Sequence, residues 1–171
     1  DHLSLYQLTI EAGTAFGDRY SVGKLRGLPE DDNAADMYLA TQEICEAHGM
    51  PAYEVSNHAV PGAESRHNLI YWRYGDYVGI GPGAHGRITL DSKRIATETH
   101  LAPTAWLNAA TQGNGEKLRT QLTAEEQANE YLMMCLRLTE GLNMDRFNCL
   151  SGYPLPQPKL DYLQDIGMIT Q

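Results

Sequence analysis

Basic residues are scarce. Lys and Arg number 13 against 22 Asp and Glu, a formal charge of −9. Nucleic-acid binding rests on clustered cations that neutralise phosphate, so a chain this acidic is a poor candidate for it and no nucleic-acid partner is expected. Long apolar runs are missing as well, and no stretch approaches the ~20 apolar residues that a membrane-spanning helix needs. A secretory leader is not expected, because a strand-like run follows Asp1 directly. Cysteine is sparse: Cys45, Cys135 and Cys149 stand far apart, with no CxxC or CxxxC pair. This excludes a disulfide framework, argues against a zinc or iron–sulfur site built from these residues, and suits buried or half-buried thiols in a reducing, cytoplasmic compartment.

What is present is a chain of 171 residues, 42% hydrophobic, enough for one domain and part of another. Residues 3–10, LSLYQLTI, read as a buried strand. A glycine-rich connection follows, with Lys24 and Arg26 as a basic patch. Glu30, Asp31 and Asp32 suit the positive end of a helix. That helix carries Met37, Tyr38, Thr41, Ile44 and Cys45 at helical spacing and stops at Gly49 and Pro51. AYEVSN, 52–57, reads as a second strand. Strand, helix, strand predicts a parallel pair, which needs both faces covered. One unit cannot supply that, so further strands are expected upstream of Asp1. Residues 58–76 read as loop, Tyr77–Ile80 as a third strand, Arg87–Thr99 as extended, and Pro103–Ala110 as a short helix around Trp106. Thr123-Ala124-Glu125-Glu126 fits a capping box. It opens a helix with Ala128, Leu132, Cys135, Leu136 and Thr139 on one stripe and Gly141 beyond it. Two shorter helices are expected near 144–147 and 158–166.

Between these elements lies GIGPGAHG, 79–86, in which four of eight residues are glycine. Gly81, Gly83 and Gly86 match a dinucleotide-binding pattern, but the following RITLD is β-prone where that motif needs a helix. A P-loop is excluded by the lack of Gly-Lys-Ser/Thr. Two readings remain: a tight turn packed under a loop, or a strand end bared so that a flat ligand can lie against backbone. Upstream, RHNLIYW, 66–72, gathers an imidazole, a carboxamide, a phenol and an indole. His67 could ligate iron or donate a hydrogen bond, or could be a core histidine with Tyr71 and Trp72 as packing. His85 reads as structural, and His2, His48, His58 and His100 have no metal-ligand spacing. Glu54 and Asp76 could serve as acids at a barrel mouth. No nucleophile–base pair is legible, so no acid–base mechanism is assigned.

SLYQLTIEAGTAF, AYEVSNHAVPG, ESRHNLIYW and DYVGIGPGAHGR, in that order, resemble the oxygen-independent coproporphyrinogen III oxidase-like branch of the radical SAM enzymes. More narrowly they resemble its haem-chaperone branch, with which the HNxxYW pattern, here His67, Asn68, Tyr71 and Trp72, is associated. The resemblance implies an α/β fold: the C-terminal strands of a partial TIM-like barrel over residues 1–115, then a small helical, winged-helix-like domain over 116–171. It implies S-adenosylmethionine and a 4Fe–4S cluster held by a Cx3Cx2C motif. That motif is absent from this sequence, so the N-terminal half of the barrel is expected outside it, and this piece alone is not expected to cleave S-adenosylmethionine. Ile80, Gly81 and Gly83 fall where the family's barrel closes near that cofactor. His67, Asn68, Tyr71 and Trp72 become tetrapyrrole-binding candidates. The function implied is binding haem and passing it to acceptor proteins. The alternative is decarboxylation of coproporphyrinogen III to protoporphyrinogen IX by a 5′-deoxyadenosyl radical. Whether the protein is an enzyme stays open between the two. Haem-acceptor proteins and a peripheral membrane contact are the further partners implied.

Overall fold

The computed structural model describes residues 1–170. The chain divides into two compact units, Asp1–Ser65 and Arg66 onward. In the first unit, β1 (His2–Ser4) is followed by α1 (Ala15–Ser21), α2 (Asp31–Ala47), β2 (Ala52–Glu54) and β3 (Asn57–Ala59). The sheet order is β1-β3-β2, and both pairings are antiparallel. The expected parallel pair is therefore corrected. AYEVSN is no single strand. It breaks at Val55-Ser56 into a two-residue turn, because the Glu54 carboxylate accepts the Ser56 amide at 2.9 Å and a side-chain bond from Asn57. The turn returns the chain alongside β1, where Ser4 Oγ donates to Asn57 Oδ1 at 2.5 Å.

The expected strand over 3–10 is shorter than its composition suggests. β1 ends at Ser4, and Leu5, Tyr6 and Leu8 are exposed. Local signals serve α2 better. It begins with Asp31 and Asp32 in its first turn and ends with Gly49 at φ +72°. The Met50 amide reaches Cys45 O and the Gly49 amide reaches Glu46 O, both at 2.9 Å, which closes a Schellman stop.

The second unit runs α3 (Arg66–Trp72), β4 (His85–Leu90), β5 (Lys93–Thr99), α4 (Pro103–Thr111), β6 (Glu116–Gln121), α5 (Ala124–Cys135), α6 (Met144–Ser151) and α7 (Gln157–Asp165). β4, β5 and β6 form an antiparallel sheet in that order. The β4–β5 hairpin turns on Asp91 and Ser92, both at positive φ, as a two-residue turn matched to strand twist requires. β6 carried no sequence signal: EKLRTQ is polar on both faces, and five of its six residues are exposed. α5 starts on the expected capping box, with Thr123 Oγ1 accepting the Glu126 amide at 3.2 Å and Glu126 accepting the Thr123 amide at 2.8 Å. It ends at Cys135, one turn before the stripe suggests. Ala128, Tyr131 and Cys135 on α5, Phe147 on α6 and Tyr74 form the core, with Leu132, Leu142, Leu150 and Leu155 packed around it. Cys45 and Cys135 are buried and Cys149 is exposed, all three as free thiols.

Candidate functional site

The segment holding the histidine–aromatic cluster is helix α3, where a connector was expected. On a helix, residues four apart share a face. His67 and Tyr71 therefore stand together, and Asn68 and Trp72 share the neighbouring face. The His67 and Tyr71 rings meet edge to face at 4.8 Å, and Tyr71 meets Tyr77 edge to face at 4.4 Å. These are favourable aromatic geometries. Tyr77 was not singled out from the sequence, yet it completes this array. Trp72 lies under the Arg137 guanidinium, 4.4 Å from the ring centroid, and its carbonyl accepts the Cys135 thiol at 3.5 Å. Its buried indole N–H has no hydrogen-bond partner among the described residues. The structure thus brings His67 and Tyr71 together and turns Trp72 toward α5.

α3 stops in an unusual way. The Gly75 amide reaches Ile70 O at 2.7 Å and the Tyr74 amide reaches Tyr71 O at 2.9 Å. This is the Schellman pattern, with Tyr74 at φ +53° in the left-handed position that glycine normally fills. A bulky residue there is strained by about 1–3 kcal/mol and persists only where its surroundings hold it. The holding groups are visible. Tyr74 is 5% exposed, and the Arg94 guanidinium lies 4.4 Å from its ring centroid. Its hydroxyl donates to Glu130 Oε2 at 2.8 Å, and its carbonyl accepts from Arg146 at 3.1 Å. Asp76, a candidate acid from the sequence, accepts from the Thr89 amide at 2.7 Å and hydroxyl at 3.0 Å, and from Arg94.

Glu130 on α5 also receives Arg87 on β4, Nη2 to Oε1 at 2.7 Å and Nε to Oε2 at 3.0 Å. Arg87 in turn exchanges both backbone bonds with Tyr77, at 2.7 and 2.9 Å. Burial alone would raise the Glu130 pKa. The hydrogen bonds from Arg87 and Tyr74, with the charges of Arg87 and Arg94, outweigh it and hold the carboxyl below the usual range. The Tyr74 phenol is pushed far above its ordinary value, first by burial and then by its bond to Glu130.

The glycine segment follows Tyr77. The expected third strand is reduced to the Tyr77–Arg87 bridge. Two of its glycines answer to close backbone approach. A Cβ on Gly79 would lie 2.5 Å from His85 O, and one on Gly86 would lie 2.9 Å from Gly79 N and 2.5 Å from Thr97 Oγ1. Gly81 and Gly83 answer to positive φ, +107° and +68°. Thr99 staples the turn between them: its hydroxyl donates to Gly81 O at 2.6 Å and accepts the Ala84 amide at 2.8 Å. Turn geometry therefore accounts for all four glycines without a guest. Room beside them remains at Gly81, where a Cβ would meet nothing within 4 Å, whereas Gly83 is roofed by Leu101 at 3.0 Å. Ile80 is 82% exposed and Leu101 84%, so the tip presents apolar side chains. No three His, Cys, Asp or Glu side chains converge to hold a metal among the described residues. The described residues do not fit a 4Fe–4S cluster. None of the described helices is long and apolar enough to cross a membrane.

No family model matches the chain. Curated relatives do. A protein of Escherichia coli named heme chaperone HemW is 37% identical, with the match covering 99% of this chain and 43% of that protein. A zebrafish (Danio rerio) protein named radical S-adenosyl methionine domain-containing protein 1, mitochondrial, is 38% identical over 88% of this chain and 35% of its own length. Bacillus subtilis heme chaperone HemW is 36% identical over 86% of this chain and 38% of its length. The chain thus spans about two fifths of these relatives. Among solved structures, the radical SAM enzyme coproporphyrinogen III oxidase (HemN) from Escherichia coli superposes with a TM-score of 0.67, covering 97% of this chain and 41% of that one at 16% identity. That likeness concerns fold. The resemblance read from four short segments holds in sequence toward the heme-chaperone and radical SAM domain-containing relatives, and in fold toward coproporphyrinogen III oxidase.

Proposed function

We propose that this chain contributes the haem-contacting part of a haem chaperone related to the radical SAM enzymes. One observation carries the reading. α3 presents His67 and Tyr71 on one face, continued by Tyr77, in a chain 37% identical to a protein named as a heme chaperone. A neutral imidazole is a good ligand for haem iron, and aromatic edges suit a porphyrin face. In this reading His67 ligates the iron, and Tyr71 and Tyr77 fix the imidazole plane and flank the macrocycle. Asn68 offers its carboxamide to a polar edge of the guest, and Trp72 anchors the helix from behind. Ile80, Gly81 and Gly83 would face S-adenosylmethionine, with the backbone of Gly81 left uncovered on its Cβ side; that cofactor and a 4Fe–4S cluster would serve radical chemistry in the whole protein. Haem passes to an acceptor protein, and the three free thiols suit a reducing, cytoplasmic setting.

Haemin titration of the full chain and of His67→Ala, followed by Soret absorbance, tests this. The expected result is loss of the ligated Soret band and at least about tenfold weaker binding in the variant, as loss of a metal-centre contact generally costs. Equal spectra and affinities would remove His67 as the ligand. Consumption of coproporphyrinogen III by the whole protein under anaerobic conditions, with S-adenosylmethionine and a reductant, would replace haem transfer by oxidation as the function.

A further inference from the structure

We propose that Glu130 is a positioning residue for the His67–Tyr71–Tyr77 array, acting through Tyr74 and Arg87. The inference rests on the reading above, that this array meets the guest. Its basis is a problem of chain direction. Tyr77 must return within five residues of Trp72 to set its ring 4.4 Å from Tyr71. The chain makes that return by turning at Tyr74, a residue that resists the left-handed conformation. Something outside the turn must hold it.

One carboxylate reaches both sides of the return. Glu130 Oε2 accepts the Tyr74 hydroxyl where α3 ends, and Oε1 and Oε2 accept Arg87. Arg87 is the residue whose amide and carbonyl bridge Tyr77. Contacts therefore run from Glu130 to Arg87 to Tyr77 to Tyr71 to His67, with Tyr74 closing the circuit at the helix end. The other charged groups at this turn act differently. Arg94 and Arg146 hold the carbonyls of Tyr74 and Gly75 or Arg73, and Asp76 holds Thr89. They stiffen the connector without touching the bridge that carries Tyr77. The hydrogen bonds of Glu130 go to Tyr74 and Arg87 and not to the array, and, after burial, its charge helps to raise the Tyr77 phenol pKa, so its effect on a guest is exerted through its neighbours.

Separation in sequence makes the arrangement consequential. Glu130 sits on α5, 56 residues beyond Tyr74 and 43 beyond Arg87. α5 is also the helix whose capping box fixes its first turn. Any shift of α5 along its axis pulls on both partners of the clamp together, so the array reports the position of α5.

The test uses the full chain, haemin as the probe, and the variants Glu130→Gln and Tyr74→Phe. Glu125→Gln, an exposed carboxylate on the same helix, is the charge control. Aromatic proton–carbon NMR spectra without haemin read the rings directly, and Soret titration reads the guest. Both variants are expected to displace the Tyr71, Tyr77 and His67 ring signals and to weaken haemin binding by about tenfold, with a shifted Soret band, as loss of outer support around a ligand does. Their double variant should lose little more than either alone, since both cut one network. Glu125→Gln should do neither. Unmoved ring signals in the folded variants would overturn the proposal. So would unchanged haemin affinity in a chain whose binding His67→Ala abolishes. If Glu130→Gln does not fold, Tyr74→Phe, which deletes one oxygen atom, decides by the same readouts. If the rings move but His67→Ala leaves wild-type haemin binding intact, positioning stands and the haem reading falls.

Discussion

Replacing Thr99 by valine isolates the staple of the glycine turn. Valine keeps the β-branched shape that a strand residue favours and exchanges only the hydroxyl for a methyl. Two hydrogen bonds disappear, the 2.6 Å bond to Gly81 O and the 2.8 Å bond from the Ala84 amide. At ~1 kcal/mol for each intramolecular bond, the loss is about 2 kcal/mol. Gly81 and Ala84 are only partly buried, so water recovers some of this and the cost should not climb toward the full penalty of two orphaned buried groups. The Thr99 amide still donates to Ala84 O at 3.0 Å, which keeps the strand in register. Urea unfolding should show ~2 kcal/mol lost with an unchanged slope, because the surface exposed on unfolding is the same. Hydrogen exchange at the Ala84 amide should accelerate by roughly 30-fold if opening is local. Thr99→Ser, which keeps the hydroxyl, should retain most of the protection. Wild-type stability in Thr99→Val, or greater damage from serine than from valine, would refute the staple.

Three further outcomes follow from the same structure. The folded Glu130 pKa lies below its unfolded value, so the stability it contributes is complete above the unfolded carboxylate range and is lost as pH falls through the folded pKa. The urea-midpoint gap between wild type and Glu130→Gln should accordingly be constant from about pH 7 to about pH 5 and shrink below that range; a gap independent of pH would count against the ion pair. Gly79→Ala should cost more than Gly81→Ala, because the first drives a methyl to 2.5 Å from a carbonyl oxygen, while the second meets open space and bears only the strain of positive φ, about 1–3 kcal/mol; thermal melts that reverse this order would contradict the turn as described. Cys149 should react with a thiol reagent in the native state while Cys45 and Cys135 react only on unfolding, since both are buried and burial pushes the Cys135 thiol up; three thiols reacting natively at one rate would show that Cys45 in the first unit and Cys135 in the second are both accessible.

Where order depends on neighbours in sequence, it was readable. Thr123 and Glu126 declare the start of α5, Gly49 declares the end of α2, and Pro103 sits in the first turn of α4. Where order depends on distant partners, it was not. α3 hid as a loop because its stop is a tyrosine, and that tyrosine makes sense only beside Glu130 and Arg94. The β2–β3 hairpin hid because its turn, Val55-Ser56, lacks Gly or Asn and is held by the Glu54 side chain instead. β6 hid because its charged residues are those of an exposed strand, with no alternation to betray it. In the candidate site, the quartet His67, Asn68, Tyr71 and Trp72 was legible as a cluster. Its division into two helical faces, and the addition of Tyr77 to one of them, required the fold.

Reversing the order of Tyr74 and Gly75 would cost contacts on both sides, although a glycine belongs to the earlier place by backbone preference. A side chain on residue 75 would press within 3.0 Å of the Ile70 carbonyl and 3.3 Å of its methyl, and a bare residue 74 would leave Glu130 and Arg94 facing an empty slot. The dipeptide is thus a keyed joint. Engineers who move the glycine one step toward the helix to relax the torsion would gain an easier bend and lose the key.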